Sequence, residues 1–181
     1  MIPLGYMLKR VATAPDWMKA PQVQQVFSVS DHVSGDFADY EPLWQHNSWW
    51  FFDSPAALQR VTTEMRADIA GLTMFYYEAF EQEYDEDEKT WSSIAPTPNM
   101  PPPNVQVPEV QRLRGFDVVT YMFSNGPDCS PLSCNSLAAE IATNSLCLLD
   151  SVERARELLE GGAFDNSEPG PFRIVAVYTL D

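Results

Sequence analysis

Positive charge is scarce in this sequence: 11 lysines and arginines stand against 26 aspartates and glutamates, for a net charge of −15. Nucleic acids are gripped through a basic footprint on their phosphates, so no nucleic-acid partner is expected. Anionic membrane surfaces are disfavoured for the same reason. Cysteine is sparse too, and the three present are an odd number, which argues against a complete disulfide framework. No stretch reaches the roughly 18 uninterrupted apolar residues of a membrane span. The opening MIPLGYMLKR is a short apolar segment whose basic residues follow it, so it does not read as a signal peptide. These absences lead to the expectation of a reduced, cytoplasmic protein. No repeat of solenoid or propeller length occurs. GxGxxG, P-loop, HExxH and GxSxG phrases are all missing, which removes the usual support for nucleotide binding and the commoner hydrolase chemistries. No cofactor is expected.

What is present is a folding composition. The 181 residues suit one domain with a sizeable core. Six of the 15 prolines fall in residues 96–108, PTPNMPPPNVQVP. Proline fixes φ and lacks a donor, so this piece should run extended and connect two halves of the domain. Before it, VQQVFSVS (Val23–Ser30) reads as a strand. The four aromatics Trp49 to Phe52 are a buried strand or a packed loop. Ser54 and Pro55 begin a helix expected over Pro55–Ala70, with Leu58, Val61, Met65 and Ile69 on its inner face. Leu72–Tyr84 is expected as a long strand whose end projects into solvent.

Beyond the connector, Phe116–Phe123 and Phe172–Leu180 are strands apolar enough for the sheet centre. Leu137–Leu149 starts as a helix, though ATNSL weakens its middle. Asp150 and Glu153 can form a capping box for a second clear helix, closed by Gly161. Strands and helices mix without regular alternation. The fold class expected is α+β: a single, largely antiparallel sheet of about five strands, with helices packed mainly on one face.

Three groups of residues carry candidate chemistry. SNGPDCSPLSCNSLAAEIA holds a turn dipeptide, two prolines, Cys129 and Cys134. With Ser133 as cap, Cys134 would sit at a helix N-terminus, where free N–H groups stabilise a thiolate. A base is then needed, and His46 and His32 are the two histidines available. Cys129, Cys134 and Cys147 with one histidine form a loose set without CxxC, so no metal site is expected. A Cys129–Cys134 disulfide is sterically conceivable but not expected in a reducing compartment.

The second group is acidic. Between Glu78 and Glu88 lie seven carboxylates and no basic residue. DEDEK lacks the glycine and ligand alternation of a calcium loop. Aromatics interleave with these acids, so Tyr76, Tyr77, Glu78, Phe80, Glu81, Glu83, Tyr84, Asp85, Glu86 and Trp91 form a candidate binding face for a cationic partner. The bland alternative is a core strand with a solvated tip. The third group lies in FADYEPLWQHNSWWFF, where Tyr40, Trp44 and Trp49 could line a pocket with His46 or Asp53 orienting a ligand.

The phrases FADY, WWFFDSP, CSPLSCN and EPGPFRIVAVY together resemble a family of small uncharacterised bacterial proteins. The resemblance implies a bacterial, cytoplasmic origin and no activity or site residue. The leading expectation is therefore a non-enzymatic acidic protein that recognises a basic protein partner, as an immunity-type or antitoxin-like inhibitor would. The alternative is a small-molecule-binding domain or a cysteine-dependent enzyme using Cys134 with His46 or His32.

Overall fold

The computed structural model describes residues 1–34, 46–121 and 126–180. In chain order the elements are β1 (Ile2–Lys9), β2 (Ala12–Thr13), β3 (Gln25–Val26), α1 (Pro55–Met65), β4 (Thr73–Asp85), β5 (Thr90–Ser93), β6 (Arg112–Thr120), α2 (Pro131–Cys134), α3 (Val152–Glu160) and β7 (Phe172–Thr179). Short 3₁₀ turns occur at Asp16–Met18 and Leu137–Ala139.

The class is α+β. Five strands form one antiparallel sheet in the order β1-β4-β7-β6, with β5 paired to the far end of β4. β2 and β3 make a separate two-stranded ribbon. The expected centre was the pair ending in Phe123 and Leu180. Instead β7 and β4 are central, and β6 lies at an edge. β4 takes the centre because β1, not foreseen as a strand, pairs along its first half from Ile2 opposite Ala79 to Lys9 opposite Thr73.

Ile174 and Val175 are neighbours on β7 and so point to opposite faces of the sheet. Ile174 packs with Phe172, Val118 and the α3 residues Ala155 and Leu159. Val175 and Val177 pack with Phe51, Tyr77 and the α1 residues Leu58 and Val61. Helices thus cover both faces, where one main face was expected. The cause is visible in FRIVAVYTL: consecutive apolar residues need cover on both sides, each fully buried one contributing about 1.5–3 kcal/mol.

β1 and β6, the outer strands of the four-strand path, each make one bridge to a loop beside a glycine. Gly5 has φ +130, and a Cβ there would lie 2.4 Å from the Phe52 carbonyl oxygen. That approach lets Tyr6 and Phe52 exchange backbone bonds of 2.8 and 3.1 Å. At the other edge Gly115 (φ +144) faces Leu149, and Phe116 and Leu149 exchange bonds of 2.9 and 2.8 Å.

Several local expectations shift. The four-aromatic stretch is a packed loop, turned by Asn47, whose Oδ1 accepts from the Trp49 N–H at 2.9 Å. Val23–Ser30 contributes only the two residues of β3. α1 begins as read, with Ser54 accepting from the Ala57 N–H, but ends at Met65 because Arg66 turns left-handed; Ile69 is exposed. Leu137–Leu149 is not a helix past Ala139. Asn144 folds the chain on itself, accepting from the N–H groups of Leu146 and Leu148 and donating to the Arg114 carbonyl. This is the local competition with helix that asparagine side chains offer. α3 is capped by Ser151, one residue later than Asp150. The Pro-rich connector holds no helix or strand and is fastened to the aromatic loop, with Ser48 N–H bonding the Pro101 carbonyl and Gln106 N–H the Asp53 carbonyl.

Candidate functional site

Two loops meet beside the end of β6. One follows β3 and carries Asp31 and His32. The other runs from Gly126 to Asn135 and carries both cysteines. Each is anchored by a buried charge. Lys9, at the end of β1 and only 1% exposed, donates to the carbonyls of Val29 (2.9 Å) and Ser30 (3.1 Å) and pairs with Asp31. Asp117, buried on β6, accepts from the Val29 N–H at 2.9 Å and the Ser130 hydroxyl at 2.7 Å. Ser130 in turn accepts from the Ser30 N–H at 3.3 Å. One carboxylate therefore ties the His32 loop to the cysteine loop. Burial pushes the Asp117 carboxyl up to about 6; its hydrogen bonds and the Lys9 charge oppose that rise.

Thr120 fixes the first cysteine from both sides. Its N–H bonds the Cys129 carbonyl at 2.8 Å, and its hydroxyl accepts from the Cys129 N–H at 3.1 Å. Cys129 and Cys134 are joined by a disulfide across Cα atoms 6.5 Å apart, contrary to the expectation drawn from a reducing compartment. Asn135 Oδ1 lies 3.3 Å from one sulfur and 3.5 Å from the other. The helix here starts earlier than expected, at Pro131, so Cys134 is its last residue and has no first-turn N–H groups to face. Ser130, at the cap position, spends its hydroxyl on Asp117 instead. Helix-terminus activation of Cys134 is thereby removed.

Of the two histidines, His32 is the one set against the sulfurs. A ring nitrogen of His32 and both Sγ atoms lie within 4.8 Å of one another. His46 packs instead in the core, its ring 4.6 Å from that of Phe52. Burial pulls its pKa down to about 4, against the opposing pull of Asp31, so it is neutral at pH 7. Cys147, the third cysteine, is a free thiol, buried and pushed up to about 12 by burial, with the Asp117 charge adding to the rise. Beside the disulfide opens a pocket of about 300 Å³ lined by Asp31, His32, Thr120, Pro127, Asp128, Cys129 and Glu168.

The acidic face sits differently. Tyr76, Tyr77 and Tyr84 are core residues, not exposed anchors. Glu78 accepts from the hydroxyls of Tyr76 (3.1 Å) and Tyr178 (2.9 Å). Glu83 pairs with Arg173 at 2.7 Å. Both Glu86 carboxylate oxygens accept from the Gly170 N–H, and Asp85 accepts from the N–H groups of Asp87 and Glu88 in the β4–β5 turn. Phe80 and Trp91 are half-buried under the Arg156 guanidinium, 5.6 and 5.0 Å from the two ring centres, and Trp91 donates to Glu160 at 2.8 Å. The chain's own arginines thus take the Phe80 and Trp91 rings and Glu83, while hydroxyl and backbone donors bind Glu78, Asp85 and Glu86. Glu81 remains exposed. Trp49 is buried, with the Arg173 guanidinium 5.9 Å from its ring centre. Tyr40 and Trp44 lie outside the described residues. Asp53 serves structure, accepting from Asn47 and from the Asn104 N–H.

Lys9, Asp117 and Ser130 had no place in the expected sites. A signal existed for two of them: Lys9 ends an apolar strand and Asp117 interrupts FDVVTYMF, and a charge inside an apolar run needs a buried partner. No family model, curated protein or solved structure matches the chain. Among the described residues no helix is long and apolar enough to cross a membrane.

Proposed function

We propose that the protein performs thiol–disulfide exchange at Cys129 and Cys134, with His32 moving the proton. The observation that carries this reading is the approach of the His32 ring to both sulfurs, within 4.8 Å, at the wall of a pocket. Cys134 is half-buried and Cys129 only 2% exposed, so an incoming thiolate attacks Cys134. Its sulfur bonds to Cys134 Sγ as the Cys129–Cys134 bond breaks. Cys129 leaves with the electron pair, and a proton passed through His32 neutralises it. If the attacker is a dithiol, its second thiolate then attacks its own sulfur in the mixed disulfide and frees Cys134. The pair ends as two thiols and the partner as a disulfide. Asp31, Asp128 and Glu168 line the pocket on the Cys129 side of the disulfide, and their charge favours neutral or cationic thiols over anionic ones nearby. In a bacterial cytoplasm the resting pair would be the dithiol, and the disulfide its oxidised turnover state.

The rate of reduction by dithiothreitol, followed by alkylation and mass, tests this between pH 6 and 8. His32→Ala is expected to slow the wild-type rate at least about tenfold, since positioned proton transfer commonly contributes 10²–10⁴. Equal rates for the two proteins would overturn the reading.

A second reading, recognition of a basic protein, keeps support from the net charge of −15 and from the exposed carboxylates of Glu81, Asp87 and Glu88. In it, charge alone acts and the rings do not. Glu81→Lys with Asp87→Lys and Glu88→Lys should then weaken association with a basic protein, and salt should do the same. Binding indifferent to both would remove it.

A further inference from the structure

The same corner has a composition that disulfide exchange does not use in full. Three carboxylates, of which Asp31 is paired with Lys9, line a pocket beside two sulfurs and an imidazole. Negative charge there does not help a thiolate form; it helps a cation arrive. We infer that the reduced Cys129–Cys134 pair, with His32, is a zinc site that opening the disulfide creates. This rests on the exchange reading only in requiring that the disulfide can open.

The donor set fits the ion. Two thiolates and one imidazole form the borderline-soft set that zinc prefers, and C-x₄-C lies within the spacing of known zinc pairs. The three ligand atoms already lie within 4.8 Å of one another. With Zn–S near 2.3 Å, a tetrahedral site holds its two sulfurs roughly 3.8 Å apart. The sulfurs must therefore separate once the bond opens. Cys129 is pinned through its backbone by Thr120. Cys134, half-buried at the end of α2, is the side chain that moves. Asn135 faces both sulfurs, and a turn of its amide directs its N–H group at them, the outer-sphere support that metal thiolates use. Cys129 and His32 line the pocket, from which water would complete the tetrahedron.

The balance is closed. A dithiol gives two electrons and two protons to the disulfide, yielding two cysteine thiols and its own disulfide. Zinc then displaces the two thiol protons. Oxidation of the pair reverses this and expels the ion, so metal binding reports redox state.

The test uses the full chain, reduced by a phosphine and checked for three alkylatable thiols. Zinc alone is titrated against a chromophoric chelator. One equivalent should bind to reduced wild-type protein and none to oxidised protein. His32→Ala, a change at an exposed residue, should weaken binding at least about tenfold. Zinc should also slow alkylation of Cys129 and Cys134 while leaving Cys147 unaffected. The inference falls if reduced protein holds zinc no better than Cys134→Ser, if His32→Ala binds equally well, or if a phosphine cannot open the pair. The two readings separate cleanly. Exchange with dithiothreitol but no zinc uptake removes the metal site alone. Zinc uptake after phosphine reduction, without His32-dependent exchange, removes the exchange reading alone.

Discussion

The β4–β5 turn and the Cys129–Cys134 corner divide the chain's polar groups in opposite ways. The turn is dense in charge, yet Glu83, Glu86 and Asp85 are bound to Arg173, to Gly170 and to the turn's own amides. Arg156 lies over the rings that would have met a visitor. The corner holds fewer charges. Two of them, Lys9 and Asp117, are buried to hold the loops, while His32 and the disulfide sit at a pocket. Charge density along a sequence therefore measures surface potential. A site forms where buried charges position reactive groups.

The comparison breaks most sharply at the sulfurs. Cys134→Ser should abolish exchange with dithiothreitol, read by alkylation and mass, whereas Glu83→Gln should leave it intact. Loss of exchange in Glu83→Gln would erase the distinction between the two regions.

Stability should separate them next. Asp117→Ala strips the acceptor from two buried donors, the Val29 N–H and the Ser130 hydroxyl, and should cost about 3 kcal/mol in urea unfolding. Glu83→Gln loses an ion pair that is mostly but not fully buried, and should cost about 1–2 kcal/mol. A larger loss at Glu83 would make the turn, not the corner, the better-anchored region.

A pH scan sharpens this further. The folded Asp117 carboxyl titrates at about 6 against 3.8 for the free group, so the folded state holds its proton more tightly. The stability that this proton contributes is complete below 3.8 and is lost as pH rises through about 6. Relative to Asp117→Asn, wild-type protein should lose about 3 kcal/mol over that window. A flat difference between pH 3 and 8 would place the carboxylate in a solvated setting instead. The smallest effect belongs to Glu81→Lys, which should shift unfolding by less than about 0.5 kcal/mol because the residue is exposed.

Much of the architecture was legible because it is local. Ser54-Pro55 marks a helix start through its own backbone, and Phe172–Leu180 announces two-sided burial through consecutive apolar residues. β1 was hidden because MIPLGYMLKR begins with proline and glycine near its start, and only the bulge at Gly5 shows how a strand accommodates them. The helix expected past Ala139 failed through one residue, Asn144, whose side chain outcompeted the helical bonds. At the site, the cysteines and both histidines were legible as reactive types. Choosing His32 over His46 was not, because spacing along the chain carries no information about a contact between distant loops.

The sequence by itself determined the α+β character, the acidic balance of charge, the start of α1 with Leu58 and Val61 inward, the interior character of β7, and the short list of groups able to do chemistry. These follow from periodicity, capping and composition, which act over a few residues. Only the tertiary structure decided that β4 lies beside β7, that Arg156 covers Phe80 and Trp91 and Arg173 pairs with Glu83, and that His32 meets Cys129 and Cys134. The physical reason is that a buried charge must find a partner wherever the chain can bring one. Lys9 and Asp117 met that need by drawing two distant loops together.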